Sequence, residues 1–131
     1  MASPEAVVRE FCTVVSKRDV ELVRPLFGDA IVYHNVGMEP SRGLVDVLAN
    51  LEGQWGMFDV YEFQIVNLSV DDDAVLTERV DTIGSGGARW PLPVMGAFVV
   101  EDGRITAWRD YFDSALIGKL MAGEDVGALV P

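Results

Sequence analysis

Charged side chains recur at every second position in two segments whose composition is typical of β-strands. Arg79 and Asp81 lie in the segment 76–83, and Asp110 lies in the segment 106–113. Because successive side chains point to opposite faces of a strand, Arg79 and Asp81 share one face. A carboxyl group can take up or release a proton, and one guanidinium can pair with two carboxyl groups. The spacing therefore predicts a site for acid–base chemistry.

The apolar residues of the same faces indicate which side of the sheet is buried. Ile83 shares a face with Asp81, and Phe112 shares a face with Asp110. If these apolar side chains point inward, the charged side chains project into one cavity. The opposite parity would bury other residues instead, namely Arg109 and Asp113. A structural ion pair on the sheet surface therefore stays open as an alternative.

A buried arginine between two aspartates would separate their protonation states. One guanidinium balances one ionised carboxylate, and burial raises the pKa of the other, so one carboxyl group can serve as a base and the other as an acid at neutral pH. Tyr33 and Asn35, which share a face of a strand predicted at 30–35, add neutral groups able to hold a water molecule. Together these groups favour hydrolysis of a small, strained, apolar substrate.

Four apolar residues are candidates for the cavity wall. They follow the charged positions on the same faces or share a face of the neighbouring strand: Ile83, Leu92, Val94 and Phe112. Apolar strand residues are usually part of a packed core, so core packing and substrate contact both remain open for them.

The rest of the chain must supply the elements that position these residues. Ser3 and Pro4 predict the start of a helix that reaches Val15, and Asp19 predicts the start of a short helix ended by Pro25. A turn at Gly28-Asp29 would precede the strand 30–35, and apolar spacing predicts a third helix over 41–55. A last helix would start with Ser114 as its N-cap.

From residue 58 onward the pattern changes to β-strands separated by turns. The turn signals are Asp71-Asp72-Asp73, Gly84-Ser85-Gly86-Gly87 and Glu101-Asp102-Gly103, which predict an antiparallel meander of about four strands. Helices followed by a curved antiparallel sheet indicate an α+β fold in which the helices cover one sheet face. We expect one domain over residues 1–131, shaped as a cone around an apolar pocket.

The composition excludes several classes of partner. The chain has 131 residues and a formal net charge of -11, so nucleic acid and anionic membrane surfaces should repel it. No apolar run approaches the roughly 20 residues of a membrane-spanning helix, and the N-terminus lacks a signal-peptide pattern. We therefore expect a cytoplasmic protein. The single cysteine, Cys12, is expected to be a buried apolar residue, and His34 lacks a second residue with which to share a metal.

The polar positions resemble the limonene-1,2-epoxide hydrolase family. The matching stretches follow the family's order along the chain: Tyr33-His34-Asn35, Thr77-Glu78-Arg79-Val80-Asp81 and Trp108-Arg109-Asp110-Tyr111-Phe112-Asp113. The resemblance implies an NTF2-like fold, like that of nuclear transport factor 2 and SnoaL-like proteins, and a homodimer. It also implies hydrolysis of an apolar, cyclic or terpene-like epoxide to a vicinal diol, with no metal and no cofactor.

The resemblance assigns a role to each polar position. Asp110 would be the base that activates water, and Tyr33 and Asn35 would help to hold that water. Asp81 would be the acid that protonates the epoxide oxygen, while Arg79 would bridge the two aspartates. Attack and protonation would take place in one step, without a covalent enzyme intermediate.

Two other functions are possible on such a fold. An isomerase or polyketide cyclase, of the ketosteroid isomerase or SnoaL type, uses a carboxylate base to remove a proton from carbon. A non-catalytic binding protein needs only an apolar pocket. Neither function is expected to require an arginine that links two aspartates, so the polar positions, and not the fold, carry the prediction of hydrolysis.

Overall fold

A six-stranded sheet and the helices packed on it form the structure, a computed structural model that describes residues 2–131. The helices are α1 (Pro4–Val14), α2 (Val20–Val23), α3 (Leu44–Met57) and α4 (Ser114–Met121). The strands are β1 (Phe27–Asn35), β2 (Ser41–Arg42), β3 (Val60–Asp71), β4 (Ala74–Ser85), β5 (Ala88–Glu101) and β6 (Arg104–Tyr111). Short 3-10 turns occupy Val15–Lys17, Arg24–Leu26 and Gly127–Leu129.

The strand order in the sheet is β2-β1-β6-β5-β4-β3. Strands β3 to β6 pair with their chain neighbours in antiparallel fashion, which confirms the predicted meander. Strand β1 lies parallel to β6, and this pairing sets Asn35 opposite Asp110 and Tyr33 opposite Trp108. The sheet is mixed and the fold is α+β, as predicted.

Local sequence signals account for most element boundaries. Ser3 caps α1 by accepting a hydrogen bond from the amide of Ala6, and Asp19 caps α2 in the same way at Glu21. The predicted hairpin turns form where Asp72 and Gly103 adopt positive φ angles of 54° and 74°. Such angles suit Asp and Gly, which tolerate the left-handed region.

Three predicted boundaries are wrong. Strand β1 begins at Phe27, so Gly28-Asp29 is part of the strand and not a turn, because the buried Phe27 pairs with Ile105 of β6. Helix α3 begins at Leu44 and not at position 41, because residues 41–42 pair with β1 as strand β2.

The third correction concerns the last helix. Asp113, not Ser114, is the N-cap of α4, and its carboxylate accepts a hydrogen bond from the amide of Ala115 at 2.9 Å. Asp113 is therefore exposed at the helix start and does not enter the cavity. The alternative in which Arg109 and Asp113 point inward is thus wrong for Asp113.

The core lies between α1 and the inner sheet face. The apolar stripe of α1 buries Val7, Val8, Phe11 and Cys12. The ring of Phe11 lies 4.9 Å from Trp108 and 5.3 Å from Phe27, measured between ring centroids. Burial raises the pKa of the Cys12 thiol to about 12, so Cys12 is the buried apolar residue that the sequence predicts. Within residues 2–131, no helix is long and apolar enough to cross a membrane.

Candidate active site

A buried arginine joins two buried aspartates that lie on β4 and β6, on either side of β5. Arg79 of β4 donates from Nε to Asp81 Oδ1 at 2.9 Å and from Nη2 to Asp81 Oδ2 at 2.7 Å. The same Nη2 lies 3.0 Å from Oδ2 of Asp110 on β6. Arg79 is 1% exposed, Asp110 3% and Asp81 6%. The buried side is therefore the one that carries Ile83 and Phe112, which is the first of the two alternatives that the sequence left open.

An aromatic ring and a hydroxyl group also contact the guanidinium group of Arg79. Its carbon lies 4.6 Å from the centroid of the Phe63 ring, over which the cation is stabilised by the electrons of the ring. Nη1 donates to the hydroxyl of Thr77 at 3.1 Å, and that hydroxyl donates to the carbonyl of Gly96 at 3.2 Å. Arg79 is thus fixed by partners on three sides.

Gly96 of β5 leaves room for the charged cluster, whose members lie on the strands to either side, β4 and β6. A Cβ atom at this position would overlap Nη1 of Arg79 and would lie 2.7 Å from Oδ1 of Asp110. Gly96 pairs with Thr77 on one side and with Asp110 on the other. A glycine in a strand interior commonly marks such a close approach.

Burial and charge act against each other on the ionisable groups. Burial raises the pKa of Asp81 to about 6, although the hydrogen bonds and charge of Arg79 act in the opposite direction. Burial also raises the pKa of Asp110, again against the charge of Arg79. For Arg79, burial lowers the pKa, but Asp110 and Asp81 outweigh this effect and keep the guanidinium ionised. One cation therefore faces two carboxyl groups that both hold a proton more tightly than an exposed aspartate does.

Asp110 retains an acceptor that no protein group fills. Its Oδ1 is buried and has no hydrogen-bond partner within residues 2–131, while Oδ2 faces Arg79. A buried acceptor without a protein partner is a natural position for an ordered water molecule. Asp110 is also part of the cavity wall.

Tyr33 and Asn35 reach the same cavity from β1. The Tyr33 ring stacks on Trp108 with the centroids 3.8 Å apart, and its hydroxyl accepts a hydrogen bond from Gln54 Nε2 at 3.2 Å. Burial and the charge of Asp110 raise the pKa of Tyr33, so the hydroxyl is protonated at neutral pH. His34 points away and its Nε2 contacts the carbonyl of Met38 at 2.8 Å.

The cavity has a volume of about 370 Å³ and is bordered by both polar and apolar residues. Its wall includes every sequence-predicted site residue except Arg79: Tyr33, Asn35, Asp81, Ile83, Leu92, Val94, Asp110 and Phe112. Arg79 is in contact with the two carboxyl groups but does not border the cavity. The structure thus brings eight of the nine predicted residues to one cavity and places Arg79 in contact with two of them.

Several residues of this region are absent from the sequence prediction. Asn50 and Gln54 of α3 and Tyr61 of β3 border the cavity, as do Met57 and Phe63. Asn50 and Gln54 are four residues apart, next to the buried Leu51 and Trp55, so they lie close to the buried face of α3. Two polar residues so close to a buried helix face are the sequence signal that could have identified them as site residues.

Other polar groups do not form a site. Asp71, Asp72 and Asp73 lie at the hairpin between β3 and β4 and are exposed. Within residues 2–131, no group of three or more His, Cys, Asp or Glu side chains is arranged to hold a metal ion.

Comparison with known proteins places the chain among epoxide hydrolases. Residues 2–122 match the family model of the limonene-1,2-epoxide hydrolase catalytic domain. The chain is 39% identical to epoxide hydrolase EphG of Mycobacterium tuberculosis over 109 residues, which cover 81% of this chain and 70% of that protein. A solved LEH-like epoxide hydrolase of M. tuberculosis is 36% identical, with a TM-score of 0.83 over 98% of this chain and 96% of the other.

More distant structures share only the fold. A SnoaL-like protein from a Jannaschia species is 14% identical, with a TM-score of 0.79 over 91% of each chain. This likeness confirms the predicted fold class without bearing on the chemistry. The family model covers most of the chain, and a relative well above 30% identity supports it. The chain therefore belongs to the limonene-1,2-epoxide hydrolase family of epoxide hydrolases.

Proposed function

We propose that this chain adds water to an apolar epoxide and releases a vicinal diol in one step. The observation that carries the proposal is the contact of two buried carboxyl groups, Asp81 and Asp110, with one guanidinium beside a cavity. A single cation stabilises one ionised carboxylate and leaves the second carboxyl group to keep its proton. The pair thereby supplies the base and the acid that epoxide opening requires.

Asp110 is the base in this mechanism. Its free acceptor, Oδ1, can take a proton from a water molecule that Tyr33 and Asn35 also hold. As that proton moves to Asp110, the water oxygen forms a bond with one epoxide carbon. The carbon–oxygen bond of the strained ring breaks as the new bond forms.

Asp81 is the acid. Its pKa of about 6 means that a proton is available close to neutral pH, and the carboxyl group borders the cavity. The proton passes to the epoxide oxygen as the ring opens, so the leaving oxygen becomes a hydroxyl group. Arg79 holds both aspartates in position, and its charge then stabilises Asp81 as a carboxylate. The mechanism uses protein side chains alone, without a metal or a cofactor.

The substrate that this cavity would accept is an apolar, cyclic or terpene-like epoxide. Ile83, Leu92, Val94 and Phe112 border the cavity near the two aspartates. Apolar side chains at these positions bind hydrocarbon surface by removing it from water. The polar groups are concentrated where the epoxide ring would react.

We further propose that the chain acts as a homodimer. Apolar side chains are exposed on the outer face of four adjacent strands, and we call Val66, Leu76, Met95 and Tyr111 the outer sheet patch. Met95 is 53% exposed and pairs with Tyr111 across β5 and β6. A self-complementary patch can be buried by a second copy related by a two-fold axis. This partner would leave the cavity on the inner face untouched.

The test of the catalytic proposal is diol formation by the purified chain. Limonene oxide and cyclohexene oxide are suitable substrates, and Asp110→Asn is compared with Asp59→Asn, the same chemical change at an exposed aspartate. We expect turnover by the wild type and by Asp59→Asn, and a loss of about 1000-fold or more in Asp110→Asn with the fold intact. Equal turnover in Asp110→Asn would show that Asp110 is not the base.

An isotope experiment tests the one-step mechanism separately. A single turnover with enzyme in excess is run in water labelled with oxygen-18. Direct attack by water places the label in the diol during this first turnover. An ester formed on an aspartate would instead transfer an unlabelled carboxylate oxygen to the first diol, and this result would exclude the one-step mechanism.

A further inference from the structure

A hydrogen-bond network connects helix α3 to Tyr33. The carboxamide of Gln54 donates from Nε2 to the Tyr33 hydroxyl at 3.2 Å and to Asn50 Oδ1 at 2.9 Å. Its Oε1 accepts a hydrogen bond from the hydroxyl of Tyr61 at 2.7 Å. Both N–H groups and the carbonyl of this side chain therefore have partners.

Two neighbouring side chains, Asn50 and Tyr61, have hydrogen bonds that match this orientation of the Gln54 carboxamide. Asn50 donates from Nδ2 to the hydroxyl of Ser41 at 2.9 Å, which leaves its Oδ1 directed to Gln54. Tyr61 is 4% exposed, and its hydroxyl donates a hydrogen bond to the carbonyl oxygen of Gln54. In this arrangement Gln54 presents an N–H group, and not its carbonyl, to Tyr33.

This orientation decides what the Tyr33 hydroxyl can do. A tyrosine hydroxyl carries one proton and can accept hydrogen bonds on its oxygen. Because Gln54 donates to that oxygen, the proton of Tyr33 is donated elsewhere. Asn35 also acts on the hydroxyl by a hydrogen bond that lowers its pKa, as a donor to the oxygen does, so neither side chain takes the proton. The nearby charge of Asp110 favours an O–H dipole directed to the Asp110 side of the cavity.

We infer that Gln54 is a positioning residue, which commits the Tyr33 hydroxyl proton to the water molecule that Asp110 deprotonates. The inference rests on the function proposed above. Tyr33 then donates to one lone pair of the water oxygen, so another lone pair stays free to attack the epoxide carbon. With the network reversed, Tyr33 would donate to Gln54 and would have no proton for the water.

Two substitutions separate this role from simple packing. Gln54→Glu retains the shape but places an acceptor opposite Tyr33, which captures the Tyr33 proton. We expect kcat to fall by about 100-fold, with KM changed less than about 3-fold, because ground-state binding of the epoxide is unaffected. Gln54→Met retains the volume without any of the three hydrogen bonds, and we expect a smaller fall of about 10-fold.

The control on the same helix is Glu52→Gln, which changes an exposed residue and should leave kcat unchanged. A double-mutant cycle supplies the second control. In a Tyr33→Phe background, Gln54→Glu should cause no further loss, because the hydroxyl on which Gln54 acts is absent. Independent, additive losses in the two variants would overturn the inference, as would near wild-type kcat in Gln54→Glu.

A crystallographic readout distinguishes this inference from the proposed function. We expect wild-type crystals to contain an ordered water within hydrogen-bond distance of Tyr33 and Asp110, and crystals of Gln54→Glu to lack it. A water that remains in place in Gln54→Glu would overturn the positioning role even if the wild type hydrolyses epoxides. A wild type with this Gln54-dependent water but no activity on epoxides would instead refute the proposed function alone.

Discussion

Asp81 and Asp110 contact the same nitrogen atom, Nη2 of Arg79, at 2.7 Å and 3.0 Å. Asp81 has a second hydrogen bond from Nε, whereas Asp110 has none and keeps an oxygen without a partner. The two carboxyl groups are therefore chemically different even though they share one cation. The free oxygen of Asp110 is available to a water molecule, as the proposed base requires, while both oxygens of Asp81 are held in place by Arg79.

Removal of the shared cation should destabilise the fold. We expect Arg79→Met to lower the free energy of unfolding by about 3 kcal/mol or more at pH 7, because two buried carboxyl groups lose their counter-ion. The loss should shrink between pH 7 and pH 4, as both carboxyl groups become protonated. Chemical denaturation at several pH values measures this.

The matched control is Arg89→Met, which breaks the exposed ion pair with Glu62. Both partners of that pair are 53% exposed, so its loss should cost less than about 1 kcal/mol. A similar cost for the two arginine variants would contradict the importance of the buried cation.

The raised pKa of Asp81 should appear in the pH dependence of catalysis. The acid must carry a proton, so kcat/KM for an uncharged epoxide should decline as the pH rises above about 6. Well above this pKa, kcat/KM should fall about tenfold for each pH unit. A rate that stays constant from pH 6 to pH 9 would exclude a carboxylic acid as the proton donor.

The same pKa has a consequence for stability. The folded-state pKa of about 6 exceeds the ordinary value of 3.8, so the stabilising contribution of the protonated Asp81 is complete below about pH 4. It is lost as the pH rises through about 6, because the unfolded chain releases the proton first. Asp81→Asn cannot titrate, so its unfolding free energy should lack this part of the decline.

Strand alternation in the sequence predicts which charged side chains share a face but leaves open which face is buried. Ile83 and Phe112 mark the inner face, and the parity that they indicate is the one that places Arg79, Asp81 and Asp110 together. The shared face of Arg79 and Asp81 can be predicted because side chains alternate along one strand whatever the order of the strands in the sheet. The parallel contact of β1 with β6, which sets Asn35 beside Asp110, is a long-range feature with no local signal.

The network around Gln54 shows where such reasoning fails. Gln54 contacts Tyr33 and Tyr61, which lie 21 and 7 residues away along the chain. Periodicity identifies the buried face of α3 but not the partner of each polar side chain on it. The prediction of a turn at Gly28 is a second failure. Gly28 lies in β1, where the absence of a side chain lets the strand pack closely on Thr106.

The outer sheet patch should determine the oligomeric state. We expect the wild type to sediment as a dimer and Met95→Lys to sediment as a monomer, because a charge would be buried in the proposed interface. Val45→Lys is the matched control, since Val45 is 80% exposed on α3, away from the patch. Sedimentation velocity on the three proteins measures the effect. A monomeric wild type would refute the dimer.

Gly96 should be intolerant of even a methyl group. Gly96→Ala would push a Cβ atom into Arg79 and Asp110, so we expect a loss of about 1 to 3 kcal/mol in unfolding free energy and a fall in kcat of more than about 10-fold. Gly53→Ala is the control, because a Cβ at Gly53 meets no atom within 4 Å. That change within α3 should stabilise the protein by about 0.5 to 1 kcal/mol. If Gly96→Ala retained full stability and activity, the charged cluster would have room to move, and the tight placement of the acid and the base would not be required for catalysis.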